Sequence, residues 1–250
     1  MAQNIYDDAA FFEGYSQFPR SREGLAAAGE WPSLRSMLPS LTGKRVLDLG
    51  CGFGYHAEWA LEQGAASVTA LDISDKMLES ARRRCLGKPI RFARADLETA
   101  DFGTDCYDLA FSSLAVHYIE NFDGFCARVR RALTDTGHFV FSMEHPVFAA
   151  RAKPEFMADA EGHVVGAVDD YLREGRRLTK WIADGVIKYH RLISTVITSL
   201  QRHGMMLDRI DEWAAKDTDI ATHPEWAAER YQPMFLLLAT HVDTTVPTLS

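Results

Sequence analysis

The feature that most constrains this chain is an apolar strand pattern that runs directly into a glycine-rich turn. Arg45–Leu49 has the composition of a buried strand, and Gly50, Gly52 and Gly54 follow at alternate positions. Because glycine has no Cβ, the backbone there can bend sharply and approach a ligand closely. A helical pattern starts at Tyr55, and a helix N-terminus offers free N–H groups to a carboxylate or phosphate. This order of strand, turn and helix predicts a nucleotide-binding α/β sheet.

A second strand pattern, over residues 67–72, ends in the acid Asp72. One carboxylate at that place can accept hydrogen bonds from both hydroxyls of a ribose. The glycine turn and Asp72 would then hold a nucleoside between two neighbouring strand ends. A second interpretation stays open, in which Asp72 caps the helix that begins at Ser74.

Size and charge limit the class of protein. With 250 residues, the chain is expected to form one large α/β domain over residues 1–250, without a second full domain. No apolar run reaches the roughly 18 residues of a membrane span, which favours a cytoplasmic protein without a membrane partner. The net charge of -8 repels a polyanion, so a small-molecule substrate is expected and a nucleic acid is not, although a local basic groove stays open. The four cysteines are far apart in the sequence, which argues against a zinc site or disulfide framework, and no metal is expected.

Strand and helix patterns alternate from about residue 44 to residue 145. Strands are expected near residues 45–49, 67–72, 90–95, 107–112 and 138–144. Such alternation predicts a doubly wound, mostly parallel sheet with helices on both faces, and residues 44–145 would form its cofactor-binding core.

The flanking segments have other patterns. Residues 1–43 are predicted to form a helical cap over a ligand cleft. Residues 146–190 lose the alternation and carry aromatic side chains that need burial, so they are expected to be an insertion that covers the substrate side. Residues 191–250 are expected to contain a final helix and two strands, near 205–213 and 233–240, which would form an antiparallel hairpin.

Four segments together resemble the successive motifs of class I S-adenosylmethionine-dependent methyltransferases. These segments are Val46–Gly54, Leu71–Ser74, Arg94–Asp96 and Asp108–Ser113. The resemblance implies a seven-stranded sheet of order 3-2-1-4-5-7-6 with strand 7 antiparallel. It also implies S-adenosyl-L-methionine as the cofactor and S-adenosyl-L-homocysteine as the product.

The resemblance also implies a set of cofactor contacts. The motif positions and their neighbours are Asp48, Gly50, Cys51, Gly52, Asp72, Ile73, Met77, Ala95, Asp96, Leu97 and Ser112. By that resemblance Asp48 and the first two glycines shape the methionine side, Asp72 binds the ribose, and Asp96 with Leu97 meets the adenine. Asp96 could instead be a loop turn residue, and Asp48 could only support the glycine turn.

Two further function classes remain open from the sequence alone. A dinucleotide fingerprint needs a glycine at position 55, where this chain has Tyr55, so an NAD-dependent oxidoreductase is the second choice. A protein that binds S-adenosylmethionine without transferring its methyl group is the third. The phosphate-binding Gly-x-x-x-x-Gly-Lys loop is absent from the sequence, which disfavours nucleotide hydrolysis.

The N-terminal arm supplies two more candidates for the cofactor. An arginine can bind a carboxylate with two parallel hydrogen bonds, so Tyr15 and Arg20 are predicted to close over the methionine end of the cofactor. An ordinary surface helix is the alternative explanation of the same residues.

Catalysis by this cofactor depends mainly on alignment, because the methyl group is already activated on a sulfonium. His117, after the fourth strand, and His145, after the fifth, are candidate bases or hydrogen-bond partners. Either histidine could instead have a structural role. Candidate substrate contacts are Tyr118, Glu144, Trp181, Tyr189 and His190, although aromatic residues of an insertion are equally expected from core packing.

The motifs that mark nucleic acid methyltransferases are absent from the sequence. Ser112-Ser-Leu-Ala115 stands where an Asn/Asp-Pro-Pro-Tyr/Phe segment would follow the fourth strand. Other segments are similar to a bacterial group of small-molecule methyltransferases, which is itself similar to enzymes that methylate ring nitrogens of toxoflavin-like aza-heterocycles. They are Phe11–Tyr15, Glu144–Pro146, Tyr189–Arg191 and Pro233–Leu237. This similarity implies methyl transfer to a nitrogen (or oxygen) of a small planar heteroaromatic metabolite.

Overall fold

A computed structural model describes residues 2–151, 156–162, 164–166, 168–224, 226–227 and 232–245. The strands are β1 (Arg45–Leu49), β2 (Ser67–Asp72), β3 (Ile90–Arg94), β4 (Tyr107–Ser113), β5 (Leu133–Glu144), β6 (Phe156–Ala158), β7 (Val164–Gly166), β8 (Gly175–Trp181), β9 (Ala183–His190), β10 (Met205–Trp213) and β11 (Phe235–Val242). The helices are α1 (Ala9–Ser16), α2 (Pro19–Arg22), α3 (Trp31–Ser36), α4 (Tyr55–Glu62), α5 (Asp75–Arg84), α6 (Phe122–Ala132), α7 (Pro146–Ala149), α8 (Ile193–Arg202) and α9 (Asp217–Thr222). Within the described residues, no helix is both long enough and apolar enough to cross a membrane.

Seven of these strands form one sheet in the order β10-β11-β5-β4-β1-β2-β3. The five strands from β1 to β5 pair in parallel, whereas β11 is antiparallel to both β5 and β10. The mostly parallel seven-stranded sheet and its terminal antiparallel hairpin are thus confirmed. In chain numbering the order is 3-2-1-4-5-11-10, which differs from the predicted 3-2-1-4-5-7-6 because four further strands, β6 to β9, precede the last two.

The difference comes from the insertion, for which the sequence pattern predicts irregular chain. The segment instead contains two hairpins outside the main sheet, β6 with β7 and β8 with β9. These strands are short or largely exposed, so they lack the apolar runs by which strands are recognised in a sequence. Within the predicted insertion, residues 152–155, 163 and 167 lie outside the described residues.

Helices cover both faces of the sheet because alternate side chains of each strand point to opposite sides. On β5, Phe139 and Phe141 face α6 and α8, whereas Val140 faces α3 and α4. The N-terminal region, for which a helical cap is predicted, contains α1, α2 and α3. It consists of short helices joined by turns, since Pro19 and Pro32 and several glycines interrupt the helical pattern.

Candidate functional site

The glycine turn after β1 has a backbone that other residues would strain. The φ angles of Gly50, Gly52 and Gly54 are 80°, 50° and 79°, all in the left-handed region. A Cβ on Gly50 would lie 2.4 Å from the Cβ of Ala115, in the loop after β4. A Cβ on Gly52, by contrast, would meet nothing within 4 Å. Gly50 therefore lets two strand ends come together, and Gly52 faces open space.

Asp72, at the end of β2, is tied to this turn. Its carboxylate accepts hydrogen bonds from the Gly52 N–H at 2.8 Å and from the Ser74 N–H at 2.9 Å. Burial raises the pKa of Asp72. The alternative in which Asp72 caps α5 is not observed, since the N-cap residue is Ser74, whose hydroxyl accepts from the Met77 N–H.

These groups border an open cavity at the carboxyl ends of the strands, with about 1190 Å³ of empty space that includes open solvent. The predicted cofactor contacts that line this cavity, called here the cofactor cavity, are Tyr15, Arg20, Gly50, Cys51, Gly52, Asp72, Ile73, Met77, Asp96 and Leu97. Apolar side chains beside a buried acid and an open glycine are a suitable lining for a nucleoside.

Three predicted contacts, Asp48, Ala95 and Ser112, do not line the cofactor cavity, and the structure corrects their placement. Ser112 donates its hydroxyl to the Leu49 carbonyl at 2.7 Å, which links β4 to β1. The Ala95 N–H donates to the Asp72 carbonyl at 2.8 Å and extends the pairing of β2 with β3. Both residues therefore support the strands that carry the site.

Asp48 borders a separate small pocket beside Trp31 and His56. Its side chain is 2% exposed, and Oδ2 has no hydrogen-bond partner among the described residues. Burial raises the pKa of Asp48 to about 8, so the carboxyl group is largely protonated at neutral pH. The acid belongs to the packing beneath the glycine turn.

The N-terminal segment 2–8 covers the cofactor cavity, and no sequence motif pointed to its contacts. Asp7 accepts hydrogen bonds from the Ser74 hydroxyl at 2.6 Å and from the Lys76 N–H at 3.1 Å. The Ala2 N–H donates to Asp96 at 2.9 Å. Gln3 bonds to the backbone of β9, accepting from the Ile187 N–H at 2.9 Å. One segment therefore contacts both cofactor loops and the insertion.

A second open cavity lies beside the first, toward the insertion, and its empty space of about 900 Å³ also includes open solvent. It is called here the acceptor cavity, and its lining includes His117, Glu144, Phe148, Arg151, Trp181, Lys188, Met234 and Phe235. The two cavities share the side chains of Tyr6, Tyr15, Arg20, Leu114 and Tyr118. A group that passed between the cavities would cross this shared wall.

The shared wall is largely aromatic and carries three neutral hydroxyls. The hydroxyls of Tyr6 and Tyr118 lie 3.1 Å apart, and the ring of Tyr6 packs edge-on against Tyr15 at 5.1 Å. Burial raises the pKa of each of these tyrosines. Arg20 bonds to the carboxylate of Glu30 at 2.9 Å, so its charge is balanced inside the protein.

Of the two candidate bases, His117 lines the acceptor cavity. The ring is 3% exposed, and its Nδ1 accepts a hydrogen bond from the Glu144 N–H at 3.4 Å. Burial lowers the pKa of His117 to about 4. The imidazole is therefore neutral near pH 7, and its proton is on Nε2, which makes it a hydrogen-bond donor.

The structure corrects the prediction for His145, which lines neither cavity. Its Nδ1 accepts from the Val147 N–H at 3.1 Å and caps α7, and its Nε2 lies 2.8 Å from Glu212. Both ring nitrogens are thus engaged. The residue has the structural role that the following proline made plausible.

The predicted substrate contacts divide in the same way. Tyr118, Glu144 and Trp181 line the acceptor cavity, whereas Tyr189 and His190 do not. Tyr189 donates to Glu120 at 3.2 Å, and the His190 ring bonds to the Tyr171 carbonyl at 2.7 Å. The neighbouring Lys188, to which no sequence motif points, lies in the cavity wall instead and forms an ion pair with Glu144.

The chain is similar to known methyltransferases. A family model described as a methyltransferase domain matches residues 47–141. The chain is 45% identical to an S-adenosylmethionine-dependent methyltransferase of Mesorhizobium loti, whose crystal structure superposes with a TM-score of 0.84 over 87% of this chain and 100% of the other. It is also 33% identical to an uncharacterised protein of Haemophilus influenzae, over 90% of both chains.

Relatives with a named acceptor are more distant. A malonyl-[acyl-carrier protein] O-methyltransferase of Pectobacterium atrosepticum is 32% identical over 45% of this chain and 42% of its own length. The 1,6-didemethyltoxoflavin-N1-methyltransferase of Burkholderia thailandensis has a TM-score of 0.57 over 97% of this chain and 91% of its own, at 17% identity. The second likeness shows a common fold alone.

Proposed function

Because the chain belongs to the S-adenosylmethionine-dependent methyltransferases, we propose that its methyl acceptor is a nitrogen or oxygen of a small planar heteroaromatic metabolite. The cofactor is S-adenosylmethionine, so the NAD-dependent alternative is wrong. The observation that carries the proposal is the aromatic wall that the cofactor cavity shares with the acceptor cavity.

The residues of the cofactor cavity fit this cofactor. The Asp72 carboxylate lies beside the open position of Gly52, where ribose hydroxyls have room to donate to it. Ile73, Met77 and Leu97 supply apolar surface for an adenine ring. Arg20 uses one nitrogen for Glu30, and its remaining donors are available for a methionine carboxylate.

The chemistry that S-adenosylmethionine supplies when bound is an activated methyl group on a sulfonium. The protein's part is to hold the acceptor in line and to exclude water. Orientation of this kind is worth roughly 7–11 kcal/mol in favourable cases. The rings of Tyr6, Tyr15 and Tyr118 suit a wall next to a cation, because aromatic faces attract positive charge without carrying a negative charge that would bind it too firmly.

His117 acts in this proposal as a donor that orients the acceptor. Its Nε2 proton is available because Nδ1 accepts from the Glu144 backbone, and its low pKa keeps the ring neutral. A neutral aza-heterocycle whose ring nitrogen has a free lone pair needs no base to attack the methyl carbon. For that reason an acceptor of this type is favoured over one that must first lose a proton.

The test is methyl transfer from cofactor that carries a labelled methyl group. Purified protein would be incubated with a panel of planar nitrogen heterocycles, phenols and carboxylic acids, and the products analysed by mass spectrometry. We expect a labelled heteroaromatic product together with S-adenosylhomocysteine. A labelled ester as the sole product would show that the acceptor is a carboxyl group and would contradict the heteroaromatic acceptor. Cofactor binding without any labelled product would favour a protein that binds the cofactor without transfer.

A further inference from the structure

Two oppositely charged side chains stand together in the wall of the acceptor cavity. The Lys188 ammonium, on β9, is bonded to Oε1 of Glu144, at the end of β5, and the two side chains are 7% and 12% exposed. The same ammonium lies 4.8 Å from the centroid of the Trp181 ring. A buried ion pair gives little net stability, because desolvation of the charges offsets their attraction. Its place in a cavity wall therefore calls for another explanation.

Lys188 and Glu144 each have hydrogen-bonding groups that their ion pair does not use. An ammonium has three N–H donors, of which Glu144 takes one and the face of Trp181 a second. In the part of the chain that the structure describes, nothing accepts the third donor of Lys188 and nothing donates to Oε2 of Glu144. Oε2 is not one of the buried polar atoms that lack a partner, so solvent can reach it. One free donor and one free acceptor thus lie side by side at the cavity.

We propose that Lys188 and Glu144 recognise a cis-amide edge, –NH–C(=O)–, of a lactam or imide ring in the methyl acceptor. The ring carbonyl accepts from Lys188, and the adjacent ring N–H donates to Glu144. The ion pair is neutral as a whole, so it suits an uncharged edge, whereas a free carboxylate would be repelled by Glu144. This inference rests on the proposed function and narrows its substrate class.

The test measures binding, with the cofactor cavity filled by S-adenosylhomocysteine. The probes are pteridine-2,4-dione, which carries cis-amide edges, and pteridine, which has the same ring system without them. We expect calorimetry to give the dione at least about tenfold tighter binding, as one or two hydrogen bonds to charged groups can supply. Lys188→Met and Glu144→Gln should each bring the two probes within about threefold of one another, and Lys188→Arg should restore part of the preference.

A second ion pair provides the matched control. Lys88 bonds to Glu58 at 2.6 Å and borders neither cavity, so Lys88→Met and Glu58→Gln should leave the preference unchanged. Affinity for S-adenosylhomocysteine, measured in parallel, reports whether each variant is folded. Equal affinity of the native protein for both probes, binding of neither, or a preference that survives in both site variants would overturn the inference.

Separate measurements of ligand binding and of methyl transfer distinguish this inference from the proposed function. The calorimetric measurement needs no methyl transfer, so it can succeed or fail by itself. Labelled product formed from rings that lack the amide edge, at the same rate as from rings that have it, would leave the proposed function intact and refute the recognition by Lys188 and Glu144.

Discussion

The hydroxyls of Tyr6 and Tyr118 lie 3.1 Å apart and join the N-terminal segment to the loop after β4. Both side chains belong to the wall between the cofactor cavity and the acceptor cavity. Because burial raises the pKa of both phenols, the bond is between neutral groups over the physiological pH range. The bond therefore connects Tyr6, in the N-terminal segment, directly to Tyr118, in the loop after β4.

Replacement of Tyr118 by Phe removes this bond and leaves the Tyr6 hydroxyl unpaired. A lost neutral hydrogen bond of about 1 kcal/mol predicts a fall of roughly fivefold in kcat/KM for methyl transfer. Affinity for S-adenosylhomocysteine should change less. Tyr189→Phe is the control, since the Tyr189 hydroxyl bonds to Glu120 outside both cavities. Full activity of the Tyr118 variant would show that the hydroxyl pair does not matter for alignment.

Replacement of Asp72 by Ala should weaken cofactor binding by about 10-fold to 100-fold. The proposed hydrogen bonds from the ribose go to a charged acceptor, and such bonds are worth about 1.5–3 kcal/mol. Calorimetric titration with S-adenosylhomocysteine measures the loss, with circular dichroism as a check on folding. Asp75→Ala is a matched control nearby, because Asp75 is exposed and pairs with Arg94. Unchanged affinity in a folded Asp72 variant would remove this residue from the binding site.

The pH dependence of transfer should show no titration of His117 near its ordinary pKa of 6.5. Burial lowers the pKa to about 4, so the ring stays neutral from there upward. The measurement is kcat/KM between about pH 5 and pH 8 for the native protein and for His117→Gln. We expect the same profile shape for both, with a lower plateau for the variant. An inflection near 6.5 that disappears in the variant would instead identify His117 as a general base.

Replacement of Asp48 by Asn should stabilise the protein at high pH. The folded pKa of about 8 exceeds the ordinary value of 3.8, so between these values the unfolded chain holds fewer protons and stability falls as the pH rises. An asparagine side chain does not ionise, so the variant does not lose stability in this way as the pH rises. Since about 1 kcal/mol shifts the Tm of a chain of this size by roughly 2–4 °C, and each pKa unit is worth about 1.4 kcal/mol, the variant should exceed the native Tm by at least a few degrees near pH 8. Near pH 4 the gain should be much smaller, and a gain independent of pH would contradict the assignment.

The parts of the fold that follow from contiguous residues could be predicted from the sequence. The strand before the glycine turn and the strand that ends at Asp72 were expected at residues 45–49 and 67–72, where the structure has them. Each combines an apolar run with glycines or an acid at its end, and that information is local. The cavity at the carboxyl ends of the strands follows from the parallel order of the sheet.

The direction of individual side chains was less predictable. Asp48 and Ser112 have the right sequence positions for ligand contacts, yet one lies beneath the glycine turn and the other bonds to Leu49. Their neighbours in the motifs line the cavity. Spacing along a strand identifies the face on which a residue lies, but a turn at the strand end changes that relation for the last residues.

Contacts between distant segments could not be found from any motif. Lys188 meets Glu144 from the other end of the insertion, and Asp7 meets Ser74 from the N-terminal arm. Each depends on how a short hairpin or turn packs on the sheet. A lysine in a strand of alternating exposure and an aspartate near the start of a helix are common in surface segments, so no motif distinguishes Lys188 or Asp7 from other surface residues.

The attachment of residues 2–8 to two separate parts of the protein has a kinetic consequence. Because Ala2 bonds to Asp96 while Gln3 bonds to β9, loss of either hydrogen bond alone leaves the segment attached at the other. Opening of the cofactor cavity along this edge therefore requires both bonds to break together, and exchange of the cofactor is the step that this requirement slows.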